Sequence, residues 1–307
     1  MPAERSGAVL ITMEEGQPPP PGSATGPLAS LPFVVVGATR GVVDHRWLEL
    51  CDVVVAEGDP ALESIEENLE ACPIASACLA LLMRGQAGRS VDEGLVAESA
   101  VYSVLQSGPE FAGWRSRRPA RTDVDDGPRV RLQREGATLT VMLARPGRLN
   151  ALDARMRDEL LEGLAVAGAD PGITAVALRG EGRAFCAGGD LDEFGTRSDP
   201  ASAHIIRLER SVGRAVSRLS QQTTAYLHGA CVGSGIELAA FADCVVAAPD
   251  TAIALPEIGL GLVPGAGGTV SLTRRIGRLR TAWLAFSGLT IDAATAHSWG
   301  LVDELEA

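Results

Sequence analysis

Residues 228–238 read HGACVGSGIEL and continue as AAF to Phe241. The stretch decides the fold because it changes periodicity. The β-branched and apolar run from Thr224 to His228 reads as a strand, and Gly235 to Phe241 reads as a helix. Between them lies a turn of small residues. A second turn of this kind, RAFCAGGDL at 183–191, comes after the strand-like run Thr174 to Leu178. Neither contains G-x-G-x-x-G or G-x-S-x-G, which argues against a dinucleotide fingerprint and a nucleophile elbow. Small residues let backbone approach a ligand closely, and a turn that opens a helix leaves amides unpaired. Two such turns facing one another would hold an oxyanion. Two ordinary strand-to-helix turns would have the same composition.

Two glutamates add to this reading. At helical spacing Glu237 has Gly233, Ser234, Ala240 and Phe241 as neighbours, so it does not lie on a solvated face. Glu257 lies in TAIALPEIGLGL, inside an apolar run with no arginine nearby. Either acid alone fits a helix-end carboxylate or a loop acceptor. Together, after two glycine turns, they suggest a pair with tuned pKa values for acid–base chemistry.

Outward from these segments the pattern alternates. Ala137 to Ala144 reads as a strand, Asp153 to Ala165 as an amphipathic helix, Ala201 to Ser220 as a helix and Cys244 to Ala248 as a strand. The alternation predicts an α/β core over residues 127–307. Upstream, Leu31 to Ala38 and Cys51 to Ala56 read as short strands. Pro60 to Trp114 is helical in period, with S-V-D-E at 90–93 as a capping box. EGQPPPPGSATGP at 15–27 places a flexible tail over residues 1–27. RSRRPARTDVDDGP at 115–128 reads as a linker between the helical segment 28–120 and the core.

The chain of 307 residues has 27 basic and 39 acidic side chains, a net charge of −12. That balance argues against a nucleic-acid or anionic-membrane partner. Nine arginines and nineteen acids fall in residues 1–126, which makes this part a distinctly acidic segment. Every basic residue is arginine. The absence of lysine excludes a Schiff-base lysine and a Walker P-loop, so any phosphate must be met by arginine or by backbone amides. The six cysteines form no C-x-x-C pair and read as buried free thiols of a reducing compartment. No zinc pattern accompanies them. MPAERSGAVLITMEEG is a poor signal peptide and no apolar run reaches membrane-span length, so a cytoplasmic location is expected.

Residues 127–307 resemble the crotonase superfamily, the enoyl-CoA hydratase/isomerase group. The motifs occur in order: RPGRLNALD (145–153), R-A-F-x-A-G-x-D (183–190), HGACVGSGIEL, PEIGLGLVPGAGGT (256–269) with LTRRIG (272–277), and A-x-x-x-G-L-V-D (296–303). Each motif is weak alone; the order and spacing carry the resemblance. It implies a ββα spiral core, oxyanion-hole amides at Gly189 and Ser234, catalytic acids at Glu237 and Glu257, and a water site at Gly265. Arg145, Arg148, Arg183, Ala184 and Ala187 are the positions implied to hold coenzyme A, which enters as part of the substrate; no permanent cofactor is implied. The resemblance also implies a homotrimer or hexamer. Ser234 stands where the family has its usual middle glycine. Cys186 and His228 stand where small residues or asparagine are common, and both are read as structural.

Residues 51–118 resemble the helices that close the family domain, in the S-x-x-E-G-L-x-x-E pattern and the later S-G-P-E-F. Since the chain stops at Ala307, soon after G-L-V-D, the arrangement implies a circular permutation with the Cys51 region close to Ala307. An unrelated helical N-terminal domain is the alternative. Hydration of a 2-enoyl thioester is the expected activity, because both acids are present. Double-bond isomerisation, another enolate reaction such as C–C cleavage, and a catalytically weak scaffold are the other readings.

Overall fold

A computed structural model describes residues 4–5, 8–19, 31–118, 126–196 and 199–306. The chain begins with a four-stranded sheet: β1 (Glu4–Arg5), β2 (Ala8–Glu14), β3 (Val34–Arg40) and, after the short helix α1 (His45–Glu49), β4 (Val53–Ala56). The expected tail over 1–27 fails at β2. Its residues pair in parallel with β3, and Met13 packs with Val35, Trp47 and Cys51 in a small satellite core. The apolar run AVLITM had a hydrophobic partner that the turn-rich stretch after it obscured. Residues 20–27 of that tail, like 119–125 of the linker, lie outside the described residues.

Four helices follow. They are α2 (Ala61–Ala71), α3 (Pro73–Arg84), α4 (Val91–Gln106) and α5 (Pro109–Ser116). Pro73 opens α3 where its missing N–H costs nothing, and Ser90 and Glu93 cap α4 reciprocally. The buried pair Asp52–Arg84 ties β4 to α3, with Asp52 also accepting the Val35 amide.

The remaining chain is a spiral. An antiparallel hairpin, β5 (Val130–Glu135) and β6 (Thr138–Leu143), is followed by α6 (Ala154–Ala169) and β7 (Ala175–Gly180). From there each strand of a large sheet feeds a short strand of a second sheet. β7 leads to β8 (Ala184–Cys186). After α7 (Pro200–Glu209) and α8 (Val212–Arg218), β9 (Thr223–Leu227) leads to β10 (Ala230–Val232) and α9 (Ser234–Ala239). β11 (Cys244–Ala247) leads to β12 (Ala252–Ala254). α10 (Gly268–Ser287), β13 (Ile291–Asp292), α11 (Ala293–Trp299) and β14 (Glu304–Leu305) complete the described chain. The large sheet runs β14-β11-β9-β7-β6-β5 and the small one β13-β12-β10-β8. This is the ββα spiral expected of the core.

β5 went unread because the alternation of VRLQRE stops after Val130 and Leu132: it is the edge strand, with five of its six residues exposed. The helix expected over 201–220 is broken at Arg210, where Ser211 caps a second helix. The N-terminal helices do not form a separate body. Ile65, Leu79 and Leu95 share one apolar core with Leu255, Leu272 and Phe286. Asn68 donates to the Phe286 and Ser287 carbonyls, and Arg278 donates to the Cys51 carbonyl. Among the described residues no helix is long and apolar enough to cross a membrane.

Candidate active site

Three neighbouring parallel strands of the small sheet position the site. β10 lies between β8 and β12, with Cys231 opposite both Cys186 and Ile253. Parallel strands release their chains at the same edge, where ligands of α/β sheets bind. β8 therefore delivers Gly189, β10 delivers Ser234 and β12 delivers Glu257 to one place. A methyl group on Gly235 would collide with the Cys186 carbonyl, so only glycine lets the two turns abut.

The amides of both turns are available. Leu152 donates to the Gly188 carbonyl and accepts from Asp190, which steps over the Gly189 N–H and leaves it without an acceptor among the described residues. Ser234 is the first residue of α9, so its amide has no intrahelical partner. Gly233, just before it, sits at φ 50° and ψ −122°, and a Cβ there would strike the Glu257 carboxyl.

The turn at 186–189 rests on the RPGRLNALD segment. Asn150 lies in the left-handed region at φ 55° and is fully buried. Its Oδ1 accepts the Arg145 amide, and its Nδ2 donates to the carbonyls of Glu181 and Ala184. Asn150→Ala is expected to lower stability by about 3 kcal/mol or more, since three buried backbone groups lose their partners. Urea unfolding measures it, and a loss within about 0.5 kcal/mol would contradict this account.

Glu237 and Glu257 are both buried and line one cavity of about 240 Å³ together with Gly189, Ser234 and Gly265. Their surroundings differ. Glu237 Oε2 accepts the amides of Ala266 and Gly268, each at 2.8 Å. Burial pushes this carboxyl up to about 7, and the amides hold it back from going further. Glu257 Oε2 has no hydrogen-bond partner among the described residues. Burial, then the neighbouring Glu237 charge, push it well above the usual carboxylate range.

A third carboxyl was missed from the sequence. Glu98, on α4, is buried and accepts Gly267 N (2.7 Å), Thr269 N (2.9 Å) and Thr269 Oγ1 (2.6 Å). Successive amides of the 266–269 loop thus alternate between Glu237 and Glu98. Burial and then Glu237 push Glu98 up to about 8. Glu98 is the last acid of the S-x-x-E-G-L-x-x-E pattern, which was read only as part of the closing helices, and nothing local linked it to a loop 169 residues away.

The positions implied for coenzyme A divide, and none lines the cavity. Arg145 is a correction. It is buried and bonded to Asp190 (2.6 Å) and the Ala151 carbonyl, so it is a strut under the Gly189 turn, with no face left for a phosphate. Ala184 is likewise a correction: it is enclosed in β8 with its carbonyl bound by Asn150. Arg183 is exposed, and Arg148 and Ala187 are half-buried. The cations that line the cavity are Arg157, Arg207 and Arg210, which sequence reasoning did not single out. Cys186 is buried with its thiol pushed up to about 11 by burial, and the His228 ring meets the Gly182 carbonyl. Among the described residues no cluster of three or more potential metal ligands occurs.

The family profile described as enoyl-CoA hydratase/isomerase matches residues 133–307, more than half of the chain. The chain belongs to the enoyl-CoA hydratase/isomerase family. This family member is 35% identical over 175 residues to the mevalonyl-coenzyme A hydratase of Beauveria bassiana, covering 54% of this chain and 62% of that protein. It is 34% identical over 172 residues to the 1,2-epoxyphenylacetyl-CoA isomerase of Escherichia coli, covering 55% and 66%. It thus spans less than two thirds of the length of these relatives. Among solved structures, the enoyl-CoA hydratase from Thermoplasma volcanium aligns with a TM-score of 0.55 at 34% identity, over 59% of this chain and 72% of that one. The relatives include both a hydratase and an isomerase, so kinship places the chain in the family and leaves the reaction to be argued from the site.

Proposed function

We propose that this family member adds water across a 2-enoyl-CoA thioester. The observation that carries the reading is the unequal pair of buried carboxyls facing one cavity. Two amides stabilise Glu237 as a carboxylate, while Glu257, whose Oε2 has no partner, is held neutral by desolvation. Glu237 is therefore the base and Glu257 the acid. Water beside Gly265 gives a proton to Glu237, and its oxygen bonds to the β-carbon of the substrate. The π electrons move toward the thioester oxygen, where the amides of Gly189 and Ser234 stabilise the enolate. Such donors are each worth roughly 3 kcal/mol in comparable sites. The enolate collapses as the α-carbon takes the proton of Glu257, and proton exchange resets both acids.

In this reading Arg148, Arg183 and Ala187 hold the coenzyme A portion of the substrate, no permanent cofactor takes part, and the subunits form trimers or pairs of trimers. Helices α2–α5 stand in for the helices that close the family domain, a circular permutation. Two ties on α10 support it: Arg275 binds Asp303 and Arg278 binds the Cys51 carbonyl, on either side of the kink at Gly277. Ala307 itself lies outside the described residues. Isomerisation is the second reading, favoured by the isomerase among the relatives. It needs one carboxyl to move a proton and no water.

Loss of enoyl-thioester absorbance on adding crotonyl-CoA separates the readings. Hydration removes the conjugated chromophore and yields a 3-hydroxyacyl product. Absence of turnover, with CoA esters still bound, would overturn the proposal.

A further inference from the structure

The cavity has a cation that the chemistry above leaves unused. Arg207, on α7, lines it and is half-buried, yet no carboxylate among the described residues lies within ion-pair distance of it. Its guanidinium lies over the Tyr102 ring, 4.5 Å from the centroid. Gly265 also packs against that ring, so closely that a Cβ would clash with its Cδ2 and Cε2. Arg207 thus sits one aromatic ring away from the loop that carries the reacting water. Its hydrogen bonds among the described residues all go to neutral groups. Nη1 donates to the Ser99 carbonyl, Ser99 Oγ and Ser103 Oγ, and Nη2 to Gln106 Oε1. Nε has no acceptor among the described residues and is open to solvent.

A half-buried guanidinium with no directly bonded carboxylate is costly: burial shifts this one downward, and Tyr102 and the more distant Glu98, itself engaged by Gly267 and Thr269, act the other way. The other two cationic residues of the cavity are differently placed: Arg157 and Arg210 share Asp158. A plain alkyl chain entering beside Arg207 would strip water from an unpaired charge and return nothing. An anion there supplies the missing partner, and guanidinium geometry suits a carboxylate. Ser99 and Gln106, which hold Arg207, line the cavity together with Leu152, Leu238 and Phe194 and with the acids Glu98, Asp190 and Glu193.

We propose that Arg207 recognises a carboxylate at the far end of the acyl group, so that the preferred substrates are short enoyl thioesters of dicarboxylic acids. The inference rests on the CoA-thioester reading of the site and names its substrate class. A phosphate of coenzyme A is the other anion that could meet Arg207, and the test separates the two.

Titration calorimetry on the full chain compares adipoyl-CoA with hexanoyl-CoA, which match in chain length and in the coenzyme A moiety. A carboxylate subsite makes adipoyl-CoA bind about tenfold tighter or more, the usual worth of one charge-assisted hydrogen bond. Arg207→Met and Arg207→Gln should bring the two affinities together by weakening adipoyl-CoA, and Arg207→Lys should keep part of the preference. Equal affinities in the unmutated chain overturn the proposal. So does an Arg207→Met loss that is the same for both esters, which assigns the residue to phosphate. If neither ester binds, the thioester reading itself fails, an outcome distinct from equal binding. The first comparison needs no variant, so misfolding of a substituted chain leaves it decisive.

Discussion

Glu257→Gln is expected to reduce hydration of crotonyl-CoA by about 10²–10⁴-fold, and Glu237→Gln to do the same, because each removes one proton transfer from the reaction. Both changes keep the shape of the side chain. Binding of a saturated CoA ester should therefore change little while turnover falls. The pH profile carries the assignment of roles. Glu237 must be ionised to accept a proton from water, so kcat/KM should fall as pH drops below about 7. Glu257 must hold a proton, so the rate should fall again at alkaline pH as the neighbouring charges finally yield it. The apparent values belong to the coupled group of carboxyls and not to either residue alone. If neither substitution slows turnover, or if the profile stays flat from pH 6 to 9, the two glutamates are not the acid and base.

The sequence made much of this legible, and the reason is local. A glycine turn between a β-branched run and a helical run announces a strand-to-helix junction, and an acid without a nearby cation in an apolar run announces a buried carboxyl. Gly189, Ser234, Glu237, Glu257 and Gly265 could be named from such signals together with the family resemblance, and the structure lines one cavity with all five. What stayed hidden depends on distant partners. Arg145 looks like any surface arginine until Asp190 closes on it from another segment. Glu98 and Arg207 lie on α4 and α7, and only packing of those helices across the cavity gives either one a role. The short strands β8, β10 and β12 are three residues each, too brief for periodicity to register. Their meaning is their parallel order, which no local pattern encodes.

Glu98 extends the argument from catalysis to stability. Buried carboxyls whose protons are held more tightly in the folded chain than in the unfolded one make stability depend on pH with a definite sign. Glutamates of an unfolded chain titrate near about 4.3. Glu98 and Glu237 are raised to about 8 and about 7, and Glu257 lies well above its ordinary range. Between those limits the folded state binds protons that the unfolded state has released. The contribution of each group is therefore complete below about 4.3 and is lost as pH rises through the folded value, at up to about 1.4 kcal/mol per pH unit per group. Carboxyls moved the other way, such as Asp170 and Asp190, act only in acid, below this window. Urea unfolding is expected to show stability falling by several kcal/mol from pH 5 to pH 9, and Glu98→Gln should make that fall shallower by removing one of the protons. Glutamine keeps one of the two oxygens, enough for either Gly267 N or the Thr269 pair, and its NH2 faces the other donor, so the variant starts from a lower stability and the slope is the readout. Glu98→Ala, which leaves those buried donors without an acceptor, should be less stable at every pH. An unchanged slope in Glu98→Gln would mean that Glu98 is ionised in the folded protein across this range. The 266–269 loop would then be held between two negative charges, and the acid limb of the reaction would have to be reassigned with it.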